Sequence, residues 1–335
     1  MSPPNSSDPS SLGSDDTLTP APSTSRFIEA NGLKLHYLDY GTQGRPPVLF
    51  IHGGAAHAHW FDFVAPGFTP DFHMRSLDLR GHGDSGWADP PAYSFERYAS
   101  DVAAAVEVLD LRDFALVGHS MGGMVSLLYA GTYPGRVAKL VIVDSRMLMP
   151  LNRVGAMREA GTRSAKTYAT QAELISRYRL EPPGTHTAPP EIVQHMALHS
   201  GRERPDGRWQ HKFDRTLFAQ FERIDGIPLW EKIRIPALLV KGERSNRLGP
   251  DVLAMVKARA PQIELVEVPA ADHHIMLDNP AGFVKAVRAF LRYRNGRSEF
   301  SRRPAVNGLI GSRRRARISG RPRPPGRITI TRRNL

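Results

Sequence analysis

Apolar residues along most of this chain fall into short runs that alternate with longer segments of helical spacing. Near the start, two alternating stretches, residues 27–30 and 33–40, flank Asn31-Gly32, a pair typical of tight hairpin turns. The later runs are mostly continuous and comprise residues 48–51, 74–77, 113–117, 140–143, 237–240 and 264–268. Continuous apolar runs suit strands covered on both faces. The pattern therefore predicts an α/β fold with a mostly parallel sheet.

This alternation stops between about residues 146 and 232. The stretch has no convincing strand pattern but is rich in large apolar residues, among them Met157, Trp209 and Phe213. We interpret residues 146–232 as an inserted, mainly helical cap, which divides the core domain into residues 25–145 and 233–295. Two proline-rich segments, residues 182–184 and 189–190, predict a turn between cap helices.

The two ends of the chain differ in composition from the core. Residues 1–24 are rich in Ser, Pro, Thr and Asp, and their apolar surface is too small to offset the entropy of ordering, so we expect disorder. Residues 297–335 hold twelve arginines and one glutamate, which account for +11 of the formal charge of +12. Residues 296–335 are interpreted as a basic low-complexity tail. Nucleic-acid binding is not expected outside this tail.

The overall composition is that of a soluble globular protein, with 41% hydrophobic and 23% charged residues in a chain of 335. No apolar run approaches the roughly 20 residues that span a bilayer, and the N-terminus lacks the pattern of a secretory signal. We therefore expect a cytoplasmic protein without membrane contacts. The absence of cysteine excludes disulfides and thiolate catalysis.

The segment Gly118-His119-Ser120-Met121-Gly122 follows an apolar strand and precedes an apolar helix. This G-x-S-x-G pattern predicts a nucleophile elbow, because the glycines leave space for a sharp turn that exposes the serine hydroxyl. A serine that only caps the helix is the alternative. A serine hydroxyl needs a base within hydrogen-bond reach. The loop after the last strand supplies His273, with His274 as its competitor.

Four motifs occur in a consistent order: His52-Gly53-Gly54, the turn at residues 78–85, the G-x-S-x-G segment and the loop at residues 272–274. With them the chain resembles the α/β-hydrolase superfamily over about residues 26–294, in its serine-nucleophile branch with a cap after the sixth strand. The resemblance implies an eight-stranded sheet and a triad in the order nucleophile, acid, histidine. It selects His273 as the base, and it assigns the oxyanion hole to the N–H groups of Gly54 and Met121, with Ala55 as the alternative to Gly54.

The triad acid is the member that departs from the family pattern. Most members carry it after the seventh strand, where this chain has Ser245 and Asn246, neither of which can hold a negative charge. Some capped members place it after the sixth strand, where Asp144 stands. Asp144 is our first choice, and a residue that merely caps a turn is the alternative reading. Glu243 is the reserve, and Asp272 ranks below it because adjacent side chains seldom point the same way.

Further residues are expected at the pocket. These candidate substrate-binding residues are His57, Trp60, His119, Met147 and His274. The pattern His57-Ala58-His59 could begin a metallo-hydrolase site, but its continuation lacks the Asp-His that such a site requires. We therefore expect no metal and no cofactor.

A serine nucleophile narrows the reaction. Epoxide hydrolases and haloalkane dehalogenases share the cap, but their family pattern has Asp in place of Ser120. The resemblance therefore implies a carboxylic ester hydrolase that acts on a small-molecule ester with a small to medium apolar acyl or aryl group. A C–C bond hydrolase, a lactonase or a perhydrolase would use the same triad. A non-catalytic small-molecule receptor is the alternative of another class.

Overall fold

The computed structural model describes residues 19–292 of the chain. The predicted basic tail, residues 296–335, lies outside the described residues, and so does most of the predicted disordered segment, residues 1–24. The first strand begins at Thr24, one residue before the predicted start of the core.

Eight strands form the central sheet, and three short strands form a second sheet in the cap. In chain order they are β1 Thr24–Ala30, β2 Leu33–Asp39, β3 Pro47–Ile51, β4 His73–Leu77, β5 Phe114–His119, β6 Val137–Val143, β7 Thr167–Tyr168, β8 Gly201–Glu203, β9 Trp209–His211, β10 Ala237–Gly242 and β11 Glu264–Val268. The central order is β1-β2-β4-β3-β5-β6-β10-β11. Strands from β4 to β11 in that order pair in parallel, whereas β2 is antiparallel to both of its neighbours. The predicted mostly parallel sheet is confirmed.

The hairpin between β1 and β2 follows from its turn residues. Asn31 and Gly32 both have positive φ, 51° and 75°, which suits asparagine and glycine better than other residues. The register pairs Ala30 with Leu33 across the two-residue turn.

Helices cover both faces of the central sheet. In chain order they are α1 Ala65–Phe68, α2 Phe95–Val108, α3 Met121–Thr132, α4 Leu151–Thr162, α5 Gln171–Arg177, α6 Pro190–His199, α7 Thr216–Ala219, α8 Pro250–Arg259, α9 Ile275–Asp278 and α10 Pro280–Arg292, with 3₁₀ helices at Ala58–Phe61 and Pro228–Lys232. Leu116 of β5 packs in one apolar cluster with α2 and α3, and Val117 packs in a second with α1 and α10. Adjacent strand residues point to opposite faces, so both faces need apolar side chains.

None of the helices within residues 19–292 combines the length and apolarity that a crossing of the bilayer requires.

The segment between β6 and β10 contains helices α4 to α7 and the small antiparallel sheet, in the order β7-β9-β8. The sequence analysis expected no strand in this region. These strands are two or three residues long and include Arg202, Glu203 and Gln210, so they give no visible alternation of apolar and polar residues.

Candidate active site

Ser120 lies at the sharp turn between β5 and α3, with φ 52° and ψ −117°. Its side chain makes no capping hydrogen bond to the helix, which argues against the reading as a helix cap. The flanking glycines are required sterically, because a Cβ at Gly118 would lie 2.4 Å from the Gly122 oxygen and one at Gly122 would lie 2.3 Å from the His52 oxygen. The strained backbone is therefore held by close packing on both sides.

His273 lies between β11 and α9, and both of its ring nitrogens are engaged. Nε2 is 3.0 Å from Oγ of Ser120, and Nδ1 is 2.8 Å from Oδ2 of Asp144. The Asp144 carboxylate accepts from Nδ1–H, which leaves Nε2 as an acceptor for the serine hydroxyl. The three predicted residues thus form one continuous hydrogen-bonded chain.

Asp144 follows the last residue of β6 and has a positive φ of 43°. Its backbone N–H donates to the Val240 oxygen on the neighbouring strand, which fixes the position of the carboxylate. The hydroxyl of Ser245 donates to Oδ2 at 2.6 Å, the same oxygen that accepts from His273, and a weaker backbone hydrogen bond from Gly242 also acts on the carboxyl. Asp144 therefore does not cap a turn with its side chain.

The reserve candidates for the acid lie elsewhere. Glu243 is exposed, and its Oε2 accepts from the backbone N–H of Ala270 at 2.7 Å. The backbone N–H of Asp272 donates to Asp278, and no hydrogen bond joins the Asp272 side chain to His273 within the described part of the chain. Ser245, at the position where most of the superfamily carries the acid, donates to the Asp144 carboxylate.

Burial and nearby cations determine the pKa values of Asp144 and His273. Burial raises the pKa of Asp144 to about 6, against the lowering effects of the Ser245 hydrogen bond and of the charge on Arg247. Burial, together with the charges of Arg247 and Arg146, holds the pKa of His273 well below its ordinary value. The imidazole is therefore neutral at neutral pH, as a general base must be.

The predicted oxyanion donors face the same space as the Ser120 hydroxyl. Gly54 and Met121 both line the cavity at Ser120, and a Cβ on Gly54 would lie 3.6 Å from the Met121 sulfur. Met121 is the first residue of α3, so its N–H has no acceptor one turn earlier in the helix. Ala55, with φ 58°, also lines this cavity.

A cavity of about 600 Å³ opens over Ser120 and His273. The predicted residues Trp60, His119 and His274 line it, as do apolar side chains from the core and the cap: Phe95, Met124, Met149, Met157, Phe213, Phe218, Phe221 and Ile224. His57 instead lines a neighbouring cavity of about 240 Å³, which shares Gly54 and Trp60 with the first.

Met147 does not line the cavity at Ser120, contrary to the prediction. It is fully buried, and its sulfur accepts a hydrogen bond from Nε1 of Trp230 at 3.4 Å. Its backbone oxygen accepts from Gly226. The residue therefore anchors the start of the cap, and Met149, two positions later, contributes to the cavity wall.

The sequence analysis missed four arginines in the cavity wall: Arg146, Arg153, Arg215 and Arg247. Glu181 is the carboxylate among the lining residues. Nε of Arg146 is buried and has no hydrogen-bond partner among residues 19–292, and burial together with the charge of Arg146 lowers the pKa of Arg247. The proximity of Arg146 to Asp144 in sequence was a signal that could have indicated its position.

Three histidine rings lie together at the site, and the nitrogens of His119, His273 and His274 are close enough for a metal ion to be considered. However, Nε2–H of His119 donates to the His273 oxygen at 2.9 Å, and both nitrogens of His273 belong to the chain from Ser120 to Asp144. Burial lowers the pKa of His119 to about 3 and that of His274 well below its usual range, so both rings are neutral. These neutral rings pack beside the ring of His273.

Comparisons with known proteins identify the fold family. Residues 46–280 match the sequence profile of the alpha/beta hydrolase fold. The chain is 27% identical over 276 residues to a 2-(acetamidomethylene)succinate hydrolase of Mesorhizobium japonicum, covering 80% of this chain and 95% of that protein. It is 28% identical to an N-formylmaleamate deformylase of Pseudomonas putida, covering 79% and 95%, and 29% identical to the mouse (Mus musculus) sn-1-specific diacylglycerol lipase ABHD11, covering 77% and 85%.

Solved structures share the fold. An E-2-(acetamidomethylene)succinate hydrolase superposes with a TM-score of 0.71 at 24% identity, covering 80% of this chain and 99% of that one. The thioesterase domain from the curacin biosynthetic pathway superposes with a TM-score of 0.69 at 22% identity, covering 80% and 99%. With the sequence match over residues 46–280, these similarities show that the chain belongs to the alpha/beta hydrolase fold family.

Proposed function

We propose that this protein is a serine hydrolase that cleaves carboxylic esters through an acyl-enzyme intermediate. The observation that carries the proposal is the hydrogen-bonded chain from Ser120 through His273 to Asp144, with distances of 3.0 and 2.8 Å. It lies at the base of a cavity large enough for a small organic substrate.

In the proposed reaction, Oγ of Ser120 attacks the ester carbonyl carbon while Nε2 of His273 accepts the hydroxyl proton. The N–H groups of Met121 and Gly54 hold the resulting oxyanion, a contribution of roughly 3 kcal/mol for each donor. His273 then returns the proton to the leaving alcohol. Water repeats the sequence on the acyl-enzyme, releases the acid and restores Ser120.

The buried Asp144 carboxylate stabilises the imidazolium that forms in each half-reaction. Because burial destabilises the ionised form of Asp144 and so raises its pKa, this form is stabilised most when His273 becomes positive. A receptor with this fold would have no need of a base, an acid and a strained serine in mutual hydrogen-bond contact.

We further propose that the ester substrate carries a carboxylate in addition to its apolar part. Arg146 and Arg247 line the cavity, and neither forms an ion pair within residues 19–292. A guanidinium pairs well with a carboxylate. Two relatives are named for a succinate and a maleamate derivative, which supports an acidic substrate here as well.

The first test is hydrolysis of neutral p-nitrophenyl esters, acetate through octanoate, by the wild type and by Ser120→Ala, Asp144→Asn and Glu243→Gln. Glu243→Gln is the matched control, because it removes an exposed carboxylate that accepts from the Ala270 backbone. We expect Ser120→Ala and Asp144→Asn to lower kcat by a factor of about 10³ or more and Glu243→Gln to leave it unchanged. A fluorophosphonate should label Ser120 in the wild type.

A wild type that neither turns over an ester nor reacts with the fluorophosphonate would overturn the enzymatic proposal and favour a receptor. The substrate charge is tested separately with monomethyl and dimethyl adipate. Arg146→Gln and Arg247→Gln should raise KM for the monoester at least about tenfold more than for the diester. Equal effects on both esters would refute the carboxylate subsite while leaving the ester hydrolase intact.

A further inference from the structure

A second group of titratable side chains lies where the cap meets the core, away from the Ser120 hydroxyl. His59 and Asp62 come from the 3₁₀ helix of the core and its C-terminal residue, and His195 and His199 come from α6 of the cap. One potential ligand atom from each of the four lies within 4.8 Å of all the others. We call these four residues the cap–core cluster.

The contacts within the cap–core cluster converge on one carboxylate oxygen. Nδ1 of His59 and Nε2 of His195 each lie 2.8 Å from Oδ2 of Asp62, while the Tyr40 hydroxyl donates to Oδ1 at 2.7 Å. The rings of His59 and His199 stack with centroids 3.6 Å apart. The Asp62 side chain is nearly fully buried, and the three histidines are partly exposed, so an ion could enter from solvent.

The spacing along the chain reinforces this convergence. His195 and His199 are four residues apart on α6 and therefore lie on the same face of the helix. His59 and Asp62 are three residues apart at the 3₁₀ helix, which brings them to one side of that turn. Two short motifs, one from each side of the cap–core boundary, thus supply two ligands each.

The donor set selects the class of cation. Three imidazole nitrogens and one carboxylate oxygen suit Zn²⁺ and its neighbours among the divalent transition metals, whereas Ca²⁺ and Mg²⁺ prefer sets made of oxygen. A four-coordinate zinc site with bonds of about 2.0–2.1 Å needs ligand atoms roughly 3.3 Å apart. The ligand atoms are now between 2.8 Å apart, in the two contacts with Asp62, and 4.8 Å apart at most, so the zinc distance lies within their present range. Modest ring rotations, including separation of the stacked pair, would bring all four ligand atoms to it.

We propose that His59, Asp62, His195 and His199 bind a divalent transition metal such as Zn²⁺, which ties the cap helix α6 to the core. The site is structural rather than catalytic. It adjoins the neighbouring cavity, because the His57 ring nitrogen contacts the Met196 oxygen of α6 at 3.3 Å and Trp60 lies between the two cavities. Metal binding would hold α6 against Asp62 and leave the reaction to Ser120.

The test is equilibrium dialysis of the full chain, stripped with a chelator, against Zn²⁺. We expect one tightly bound zinc per chain in the wild type and its loss in the double variant His195→Ala/His199→Ala. His211→Ala is the matched control, because this cap histidine contacts Tyr168 and lies outside the cap–core cluster. A second variant, His59→Gln, removes a ligand from the core side and should weaken zinc binding at least about a hundredfold, in case the double variant folds poorly.

Two controls separate this site from the catalytic histidines. His274→Ala should retain the tight zinc, because His274 belongs to the other group of histidines. Zinc should also raise the Tm of the wild type and of His211→Ala but not that of the double variant. An absence of tight zinc in the wild type, or tight zinc that survives both His59→Gln and the double variant, would overturn the proposal.

Discussion

Two buried aspartates of this protein, Asp144 and Asp62, have pKa values that are shifted in opposite directions. Asp144 and Asp62 are 0% and 3% exposed, and each accepts hydrogen bonds from histidine. Burial raises the pKa of Asp144 to about 6. At Asp62 the same effect is outweighed by hydrogen bonds from His195, His59 and Tyr40, and the pKa falls to about 2.

The difference lies in how the carboxylate oxygens are used. Both oxygens of Asp62 accept hydrogen bonds, and these stabilise its ionised form enough to outweigh burial. At Asp144 the hydrogen bonds from Ser245 and His273 both go to Oδ2, and burial outweighs them together with the weaker effect of the Gly242 backbone. A compensated carboxylate suits a fixed structural or metal-binding role. A carboxylate whose charge is stabilised less well gains most from a transient positive charge on its partner, which is what a triad acid requires.

The largest expected effect is that of Asp144→Asn on turnover. We expect kcat for a neutral ester to fall by a factor of about 10⁴, because the amide favours the wrong tautomer of His273.

The effect of the same variant on stability has the opposite sign. The raised pKa of Asp144 means that the folded state binds the proton more tightly than the unfolded state. Ionisation therefore costs folding free energy as the pH rises from about 4 to about 6, up to about 3 kcal/mol above that range. Asp144→Asn should consequently keep or raise Tm at pH 7, as differential scanning calorimetry would show, and a large loss of Tm would contradict this account.

Asp62→Ala should show the reverse pattern in the metal-free protein. The variant leaves Tyr40, His59 and His195 without their common acceptor, and the free energy of unfolding should fall by about 2–4 kcal/mol. Urea denaturation measures this loss, with Asp206→Ala, an exposed cap carboxylate, as the control. Below the unfolding temperature, kcat should fall far less than in Asp144→Asn. Equal stability of the two variants would remove the distinction between the two carboxylates.

The sequence predicted the parts of the site that lie within short motifs. Ser120 is set by its own neighbours, because Gly118 and Gly122 are the residues whose missing side chains permit the elbow. Asp144 is predicted from the resemblance to capped members of the superfamily, some of which place the acid after the sixth strand. Its support by Ser245, 101 positions away, depends on the pairing of β6 with β10, which no local pattern reveals.

Predictions were weakest in the cap. Met147 has the composition of a pocket residue, but its contact with Trp230 depends on packing at the start of the cap. The cap–core cluster was missed for a similar reason. The residues that follow His57-Ala58-His59 in sequence argue against a metal site there. The histidine that completes the cluster with Asp62 is His195, which is 133 positions away. The helical spacing of His195 and His199 was the available signal.

Arg247→Gln should move the pH dependence of turnover. The Arg247 cation lowers the pKa of both His273 and Asp144, so its removal raises both. Activity is lost as the pH falls and the pair takes up a proton, and the acid limb of kcat/KM should therefore shift to higher pH in the variant. A neutral ester keeps substrate charge out of the measurement. Arg153→Gln is the control, since Arg153 is exposed and acts on neither pKa directly; an equal shift in both variants would count against this role of Arg247.

Ser245→Ala should give the smallest effect and the finest test of how Asp144 is held. The hydrogen bond from Ser245 to Oδ2, 2.6 Å long, lowers the pKa of Asp144, so its removal should shift the acid limb to higher pH. Because His273 still holds the same oxygen, kcat at pH 8 should fall only a few-fold. Ser245→Thr keeps the hydroxyl and should restore both the limb and the rate. If Thr behaves like Ala, the serine acts through packing in the turn after β10, and the carboxylate of Asp144 is positioned by β6 and His273 alone.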